Sequence, residues 1–258
     1  MLRPRVIPCL LLHQGGLVKT RRFRDPTYVG DPVNAIRIFN EKEVDELVVL
    51  DIDASREGRE PDYALVEHIA GECFMPLCYG GGIRTVEQAD RLFSMGVEKV
   101  SLQTAALRDM DLIGSIASRF GSQSVIFSLD LRRDWFGRAR VFSACERRRT
   151  RARWQDTLVD AVKAGAGEVM LNVVNRDGTM SGMDLDLVRE ASALVSVPLV
   201  AMGGIGSTAD IEAGFQAGAS AVGAGSFFVF HGPNRAVLIT YPRPDEPIFT
   251  PKATSEAA

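Results

Sequence analysis

Short apolar runs punctuate the chain near residues 5–12, 47–52, 75–79, 98–102, 124–130, 168–174, 197–202 and 220–224, and the stretches between them return an apolar side chain every three or four residues. Runs of that length bounded by turn residues mark buried strands, whereas the 3.6-residue period marks helices packed on one face. Strand and helix alternate eight times within 258 residues. That pattern predicts an α/β fold of the (β/α)8, or TIM barrel, type, for which ~250 residues are typical. A doubly wound open sheet is the competing arrangement.

An internal repeat favours the barrel. Residues 75–104 read MPLCYGGGIRTVEQADRLFSMGVEKVSLQT, and residues 197–226 read VPLVAMGGIGSTADIEAGFQAGASAVGAGS. Gly81, Gly82, Ile83 and Gly96 align with Gly203, Gly204, Ile205 and Gly218 at one constant offset, which also pairs Glu46 with Glu168. Each copy is a strand, a glycine turn, a helix and a second strand. Earlier in each half, VIPCLL at 6–11 resembles VIFSLD at 125–130 and sets Leu11 opposite Asp130. One domain over residues 1–242 is therefore expected, built of half-barrels at about 1–120 and 121–242. Residues 243–258, rich in proline and small polar side chains, are expected to form a flexible tail.

Bulk properties narrow the function classes. A formal net charge of -3 gives no general attraction to nucleic acid or to membranes. A hydrophobic content of 46% and a charged content of 24% are those of an ordinary soluble globular protein. No apolar run reaches spanning length and the first eight residues lack a signal-peptide layout, so a cytoplasmic location is expected. Cys9, Cys73, Cys78 and Cys145 show no C-x-x-C spacing, and three of them lie in or beside apolar runs, which predicts buried free thiols. His13, His68 and His231 are scattered. Neither a metal site nor a cofactor is expected.

Loops at the C-terminal ends of barrel strands form the active-site face, and the candidate chemistry gathers there. After strand 1 about twenty residues, including three glycines and Lys19, precede a helix that Asp31 caps and Pro32 opens. So long a loop is either a lid or substrate clamp, or solvated surface. Strand 2 ends in LDIDASREGR, and strand alternation places Asp51 and Asp53 on one side, for chemistry or for tying down loop backbone.

Gly80, Gly81 and Gly82 end strand 3, and Gln103 and Thr104 stand at the head of a short helix after strand 4. Their backbone amides suit a phosphate dianion. Gly203–Gly204 and Gly225–Ser226 repeat the layout where barrels bind phosphate after strands 7 and 8. Two such sites predict an elongated ligand phosphorylated at both ends. Strand 5 ends at Asp130, and DWFG between β-type residues predicts an inserted hairpin. Arg147, Arg148 and Arg149 fit either solvated surface or contact with a phosphorylated ligand or acidic partner. Strand 6 ends in a polar loop through Asp177, Gly178 and Thr179, while Arg5, Glu46, Lys99 and Glu168 ring the opposite, N-terminal mouth.

Together these motifs resemble the HisF family, the cyclase subunit of imidazole glycerol phosphate synthase. RVIPCL, GDPV with NE, DELV-x-LDI, YGGGIRTVE, FGSQ, RDGT and GGIGS carry the resemblance, from about residue 3 to 230. It implies a barrel in a heterodimer with a HisH-like glutaminase, receiving ammonia through its core and closing an imidazole ring on a bis-phosphorylated ribulotide. It implies substrate or phosphate contacts for Lys19, Asp51, Gly81, Gly82, Gln103, Thr104, Asp177, Gly178, Thr179, Gly203, Gly204, Gly225 and Ser226. For Arg5, Glu46, Lys99 and Glu168 it implies a salt-bridged ammonia gate, against the plainer reading of ion pairs capping the barrel floor. Glu98 takes a place at the glutaminase interface.

The family works with two aspartates, at the ends of strands 1 and 5. Asp130 is the second, but Leu11 stands in place of the first. Leucine carries no proton to transfer, and loss of a positioned acid or base costs ~10²–10⁴-fold in rate. Gln103 replaces the family's asparagine and Asn172 its threonine. CLLLH-x-GGLVKT, FMPLCYGGGIRT and SFFVFHGPNRAVLITYP resemble the HisF-like acetamidino modification proteins of surface-polysaccharide gene clusters. That resemblance implies work with a HisH-like glutaminase and a separate ATP-using amidotransferase, turning an acetamido group on a nucleotide-activated sugar into an acetamidino group. The alternatives are a histidine-pathway cyclase with a substitute acid such as Asp51, and a scaffold that only activates its glutaminase.

Overall fold

β1 (Arg5–His13), β2 (Leu47–Asp51), β3 (Leu77–Gly80), β4 (Lys99–Leu102), β5 (Val125–Arg133), β6 (Glu168–Val173), β7 (Leu199–Met202) and β8 (Ala221–Ala224) each pair in parallel with the next, and β8 pairs back onto β1. Closure with helices between the strands makes this the (β/α)8 barrel that the pattern predicts. The computed structural model describes residues 4–150, 152–232 and 234–242. The tail expected at 243–258 lies outside them.

Pleating sends alternate side chains to opposite faces of each strand. Inside the barrel, Ile7, Cys9, Val48, Cys78, Ile126, Met170, Val200, Met202 and Ala221 form an apolar cluster, with Leu11 and Leu50 partly buried against it. The intervening residues, among them Leu10, Val49, Tyr79, Phe127 and Leu171, join the core beneath the helices. Burial on both faces is why these strands read as continuous apolar runs rather than as alternating ones.

Local chemistry sets the helix starts. Asp31 caps the helix Pro32–Glu41 by accepting from Asn34 N at 2.9 Å, with proline in the first turn. Thr85 and Gln88 form a reciprocal capping box on Val86–Ser94, and Ser207 caps the equivalent helix Thr208–Gln216. Among the described residues no helix is long and apolar enough to cross a membrane. All four cysteines are free thiols; Cys9 and Cys78 are buried, while Cys73 and Cys145 are only half-buried.

The segment after β1 is not an irregular loop. Gly16–Arg21 and Arg24–Gly30 form a β-hairpin that folds back on β1, with Leu11 opposite Val18 and Leu12 opposite Leu17. Buried Leu17 and Val18 hold the hairpin's inner strand to the barrel. The hairpin predicted around DWFG is present: β5 continues past the barrel and pairs with Ala139–Ser143, Leu131 opposite Val141. Asp134 accepts from Phe136 N and Arg138 N and closes that turn.

Candidate active site

The C-terminal ends of the strands enclose a cavity of about 250 Å³, lined by both glycine turns, both hairpins and the inward side chains at the top of the barrel. Its two ends are alike. Gln103 has φ -127° and ψ -72°, and Gly225 has φ -107° and ψ -72°. Each leads into a helix of one turn or little more, Thr104–Arg108 and Ser226–Val229, with no side chain capping it. First-turn N–H groups without an internal partner are ready donors for an anion. Gly81 and Gly204 complete the two turns at φ +117° and +99°, where a Cβ would sit 2.4 Å from Asp51 O and 2.2 Å from Gly182 O respectively. Steric need alone accounts for those glycines.

Lys19 adds a cation at the second end. Its Nζ donates to Cys9 O at 2.5 Å and lies 3.0 Å from where a side chain on Gly225 would begin. Burial pushes this amine down to about 8, partly offset by the nearby Cys9 and Asp177.

Asp130 sits on the inward face near the end of β5, 9% exposed. Its Oδ2 accepts from Gln103 Nε2 at 2.5 Å, and the same Nε2 donates to Phe142 O at 3.2 Å. Burial, reinforced by the charge of Asp177, raises its carboxyl to about 8. At neutral pH it is a proton donor rather than a base.

Where the first half would carry its counterpart, the wall is apolar. Leu11 on β1 stands in register with Leu50 on β2, and Asp130 on β5 stands in register with Asn172 on β6. The two halves thus present a leucine pair and an acid–amide pair at matching corners of one mouth. Only Asp51, Asp130 and Asp177 bring carboxylates to the lining among the described residues.

Neither Asp51 nor Asp177 has a carboxylate free of loop contacts. Asp51 Oδ1 accepts from Asp53 N and Ala54 N, both at 2.9 Å, and its Oδ2 is 3.7 Å from an Arg59 nitrogen. β2 ends at Asp51, so strand alternation does not carry on to Asp53. Asp53 turns away from the cavity to His13 Nδ1 at 2.8 Å and Gln14 N at 3.0 Å. The two aspartates do not share a side, and both tie down loop backbone. Asp177 Oδ2 accepts from Thr20 Oγ1 at 3.2 Å and Phe23 N at 3.3 Å, while its carbonyl accepts from Arg22 N at 2.9 Å. Those bonds hold Arg22 and Phe23 at φ 56° and 60° in the tip of the first hairpin, a backbone that costs roughly 1–3 kcal/mol per non-glycine residue. Thr179 does not line the cavity; its Oγ1 donates to Arg176 O at 2.6 Å.

At the other end of the barrel the four charged residues close a ring. Arg5 bonds Glu46 at 2.6 Å and also Glu168, and Lys99 bonds both glutamates at 2.9 Å. The glutamate side chains are 3% and 5% exposed, those of Lys99 and Arg5 19% and 28%, so the cations form the solvent edge of the ring. Burial alone would lower Lys99 and Arg5, but Glu168 and Glu46 outweigh it and raise both. Glu98 is exposed beside the ring.

The profile of the histidine biosynthesis protein family matches residues 5–233. A Pseudomonas aeruginosa protein provisionally named imidazole glycerol phosphate synthase subunit HisF2 is 56% identical over 94% of this chain and 97% of its own. One from Vibrio vulnificus, provisionally named subunit HisF3, is 51% identical over 95% of each. The Streptococcus sanguinis imidazole glycerol phosphate synthase subunit HisF is 40% identical over 90% of this chain and 91% of its own. The chain belongs to the HisF family.

For a HisF-family barrel the structure brings together nearly all the residues that the sequence singles out, at two opposite ends. Lys19, Asp51, Gly81, Gly82, Gln103, Thr104, Asp130, Asp177, Gly178, Gly203, Gly204, Gly225 and Ser226 line one cavity, and the ring closes the far floor. Sequence reasoning missed Leu50, Phe142 and the arginines Arg22 and Arg132, which also line the cavity. Leu50 was recoverable, since the repeat sets it opposite Asn172. Of the arginine run, Arg147 alone reaches the lining, while Arg148 and Arg149 are exposed.

Proposed function

We propose that this HisF-family barrel takes ammonia from a HisH-like glutaminase docked on its N-terminal face and delivers it at the C-terminal mouth for amidination of a nucleotide-activated sugar. A separate ATP-using amidotransferase completes the conversion of an acetamido to an acetamidino group, in the cytoplasm. The observation that carries this reading is the asymmetry of the mouth, with Leu11 beside Leu50 where Asp130 and Asn172 stand in the other half. A site with one positioned acid is poorly made for ring closure, which needs protons moved on both sides of the ligand.

Other features support delivery of nitrogen. The ring of Arg5, Glu46, Lys99 and Glu168 has to part for anything to pass, and its partly exposed cations offer a surface for a partner to pull on. Above it the barrel interior is apolar, which favours neutral ammonia over ammonium because an unpaired charge is costly to bury. The two uncapped helix starts and Lys19 suit the phosphates of an activated sugar. Relatives at 46–56% identity carry provisional names, two of them numbered, whereas the plainly named HisF subunits stand at 40–43%.

A second reading, the histidine-pathway cyclase, draws on those relatives' names and on Asp130. It needs a substitute acid, and Asp51, the candidate, is bound to loop amides. Expression in a histidine auxotroph lacking the cyclase separates the two. The amidination reading predicts no rescue by a folded protein that stimulates its glutaminase, and growth comparable to a genuine cyclase would overturn it.

A further inference from the structure

The insertion after β5 is a strongly basic part of an acidic chain. Residues 131–150 carry seven arginines against Asp134 and Glu146, in a sequence whose net charge is -3. Strand pairing gathers three of these arginines on one face. Arg132 stands directly opposite Arg140, and Phe142, two residues further along, stands opposite Arg149 on a short third strand, Arg148–Arg149. Residues opposite one another across an antiparallel pair share a face, as do residues two apart. Arg132, Arg140 and Arg149 therefore surround the Phe142 ring, with the Arg132 guanidinium 5.4 Å from its centroid. Among the described residues no carboxylate pairs with these three, whereas Arg133, Arg138 and Arg148 bind Asp184, Asp134 and Glu146. Like charges directly opposite each other destabilise a strand pair, so this face is unfavourable until an anion meets it.

The tip of the same hairpin is apolar and fixed. Trp135 is 99% exposed and Phe136 83%. Asp134 accepts from Phe136 N and Arg138 N, its own N–H donates to Arg138 O, and the Arg138 guanidinium lies 5.1 Å from the Phe136 centroid. Two aromatic side chains held out in water by a locked turn, next to unpaired arginines, make a preformed anchor. Trp and Arg are the residues that most often carry binding energy between proteins.

Position decides the kind of partner. Arg132 and Phe142 border the cavity, but Arg140, Arg149, Trp135 and Phe136 lie outside it. At ~3.4 Å per residue the tip stands roughly 15 Å from Phe142, beyond what a ligand seated in the cavity touches. The surface thus suits a protein rather than a small molecule, and a protein seated on it overhangs the mouth. Covering that exit matters, since ammonia released into water is protonated and lost to the reaction.

We propose that the arginine face and the Trp135–Phe136 tip are the docking site of the ATP-using amidotransferase, which meets them with a carboxylate-rich surface and an apolar pocket. This rests on the amidination reading and adds where its second partner sits. Glutaminase and amidotransferase then occupy opposite ends of one barrel.

The test immobilises the whole chain in complex with its glutaminase and titrates the purified ATP-using amidotransferase of the same organism, read by surface plasmon resonance. Trp135→Ala combined with Phe136→Ala is expected to weaken binding at least about thirtyfold. Arg140→Glu combined with Arg149→Glu is expected to weaken it at least about tenfold and to flatten its dependence on salt. Glutaminase binding, at the far face, is expected to stay unchanged in both variants and verifies the fold. No binding to the unaltered chain, or unchanged affinity in both variants, would overturn the assignment. So would a dimer of the chain alone that Trp135→Ala dissolves, or binding of a single-stranded oligonucleotide that the arginine variant loses, since these give the surface to a second copy or to nucleic acid. Rescue of the histidine auxotroph would sink the amidination reading, whereas amidotransferase binding that neither variant weakens, without rescue, would sink the docking site alone.

Discussion

Asp130→Asn should make the protein more stable, and increasingly so as pH rises. The change is isosteric, and the amide can still meet Gln103 and fill the same space at the top of β5. Burial raises the Asp130 carboxyl from the ordinary 3.8 to about 8 in the folded protein, so the folded state keeps a proton that the unfolded chain releases. The stability associated with this group is therefore complete below 3.8, declines as pH rises through the window between the two values, and is lost above about 8. Within that window the slope approaches 1.36 kcal/mol per pH unit, which makes about 4 kcal/mol between pH 5 and pH 9. Asparagine does not titrate, so the variant escapes the decline. Urea denaturation of both proteins at pH 5, 7 and 9 measures the difference, and most other titrating groups cancel because the two chains share them. A variant advantage that widens by about 4 kcal/mol from pH 5 to pH 9 is expected. A gap that stays constant or narrows would show that Asp130 is ionised in the fold and that the reasoning about its burial is wrong.

Lys99→Met should destabilise the barrel by about 3 kcal/mol at neutral pH, the low end for a broken buried ion pair because Lys99 retains some solvent. Since Glu168 and Glu46 hold Lys99 above its ordinary 10.5, the contribution is complete below that value and is lost as pH rises through the higher folded one. Denaturation midpoints of variant and parent should therefore converge in strong alkali, and a difference that persists there would count against the ion-pair account. Asp177→Ala should release the tip of the first hairpin, which Asp177 holds through Thr20 and Phe23. Limited trypsin digestion should then cut faster after Arg21 or Arg22, with the remaining barrel resistant; unchanged cleavage would show that the hairpin is held by other contacts.

Strand placement was legible in the chain because burial on both faces leaves an unbroken apolar run, and all eight runs coincide with barrel strands. Helix starts were legible where a cap is local, as at Asp31 and Pro32. The first hairpin was not, because its turn residues Arg22 and Phe23 adopt left-handed backbone without glycine or asparagine. Asp177, far along the chain, supplies the bonds that hold them, and spacing cannot show that. Asp51 and Asp53 were set on one side by extending strand alternation past the end of β2, where the backbone turns into the short helix Ala54–Glu57. The four charges of the floor were legible as strand-initial residues, but their closure into one ring needed the barrel's circumference.

Ring closure with ammonium supplied directly bypasses both the floor and any glutaminase, and it tests the loss of the first acid in isolation. The purified chain is incubated with the bis-phosphorylated ribulotide and ammonium, and imidazole glycerol phosphate is followed by chromatography beside a plainly named HisF subunit. A positioned acid or base contributes ~10²–10⁴-fold, so turnover at least about a hundredfold below that subunit is expected. Turnover equal to it, abolished by Asp130→Asn, would contradict the account.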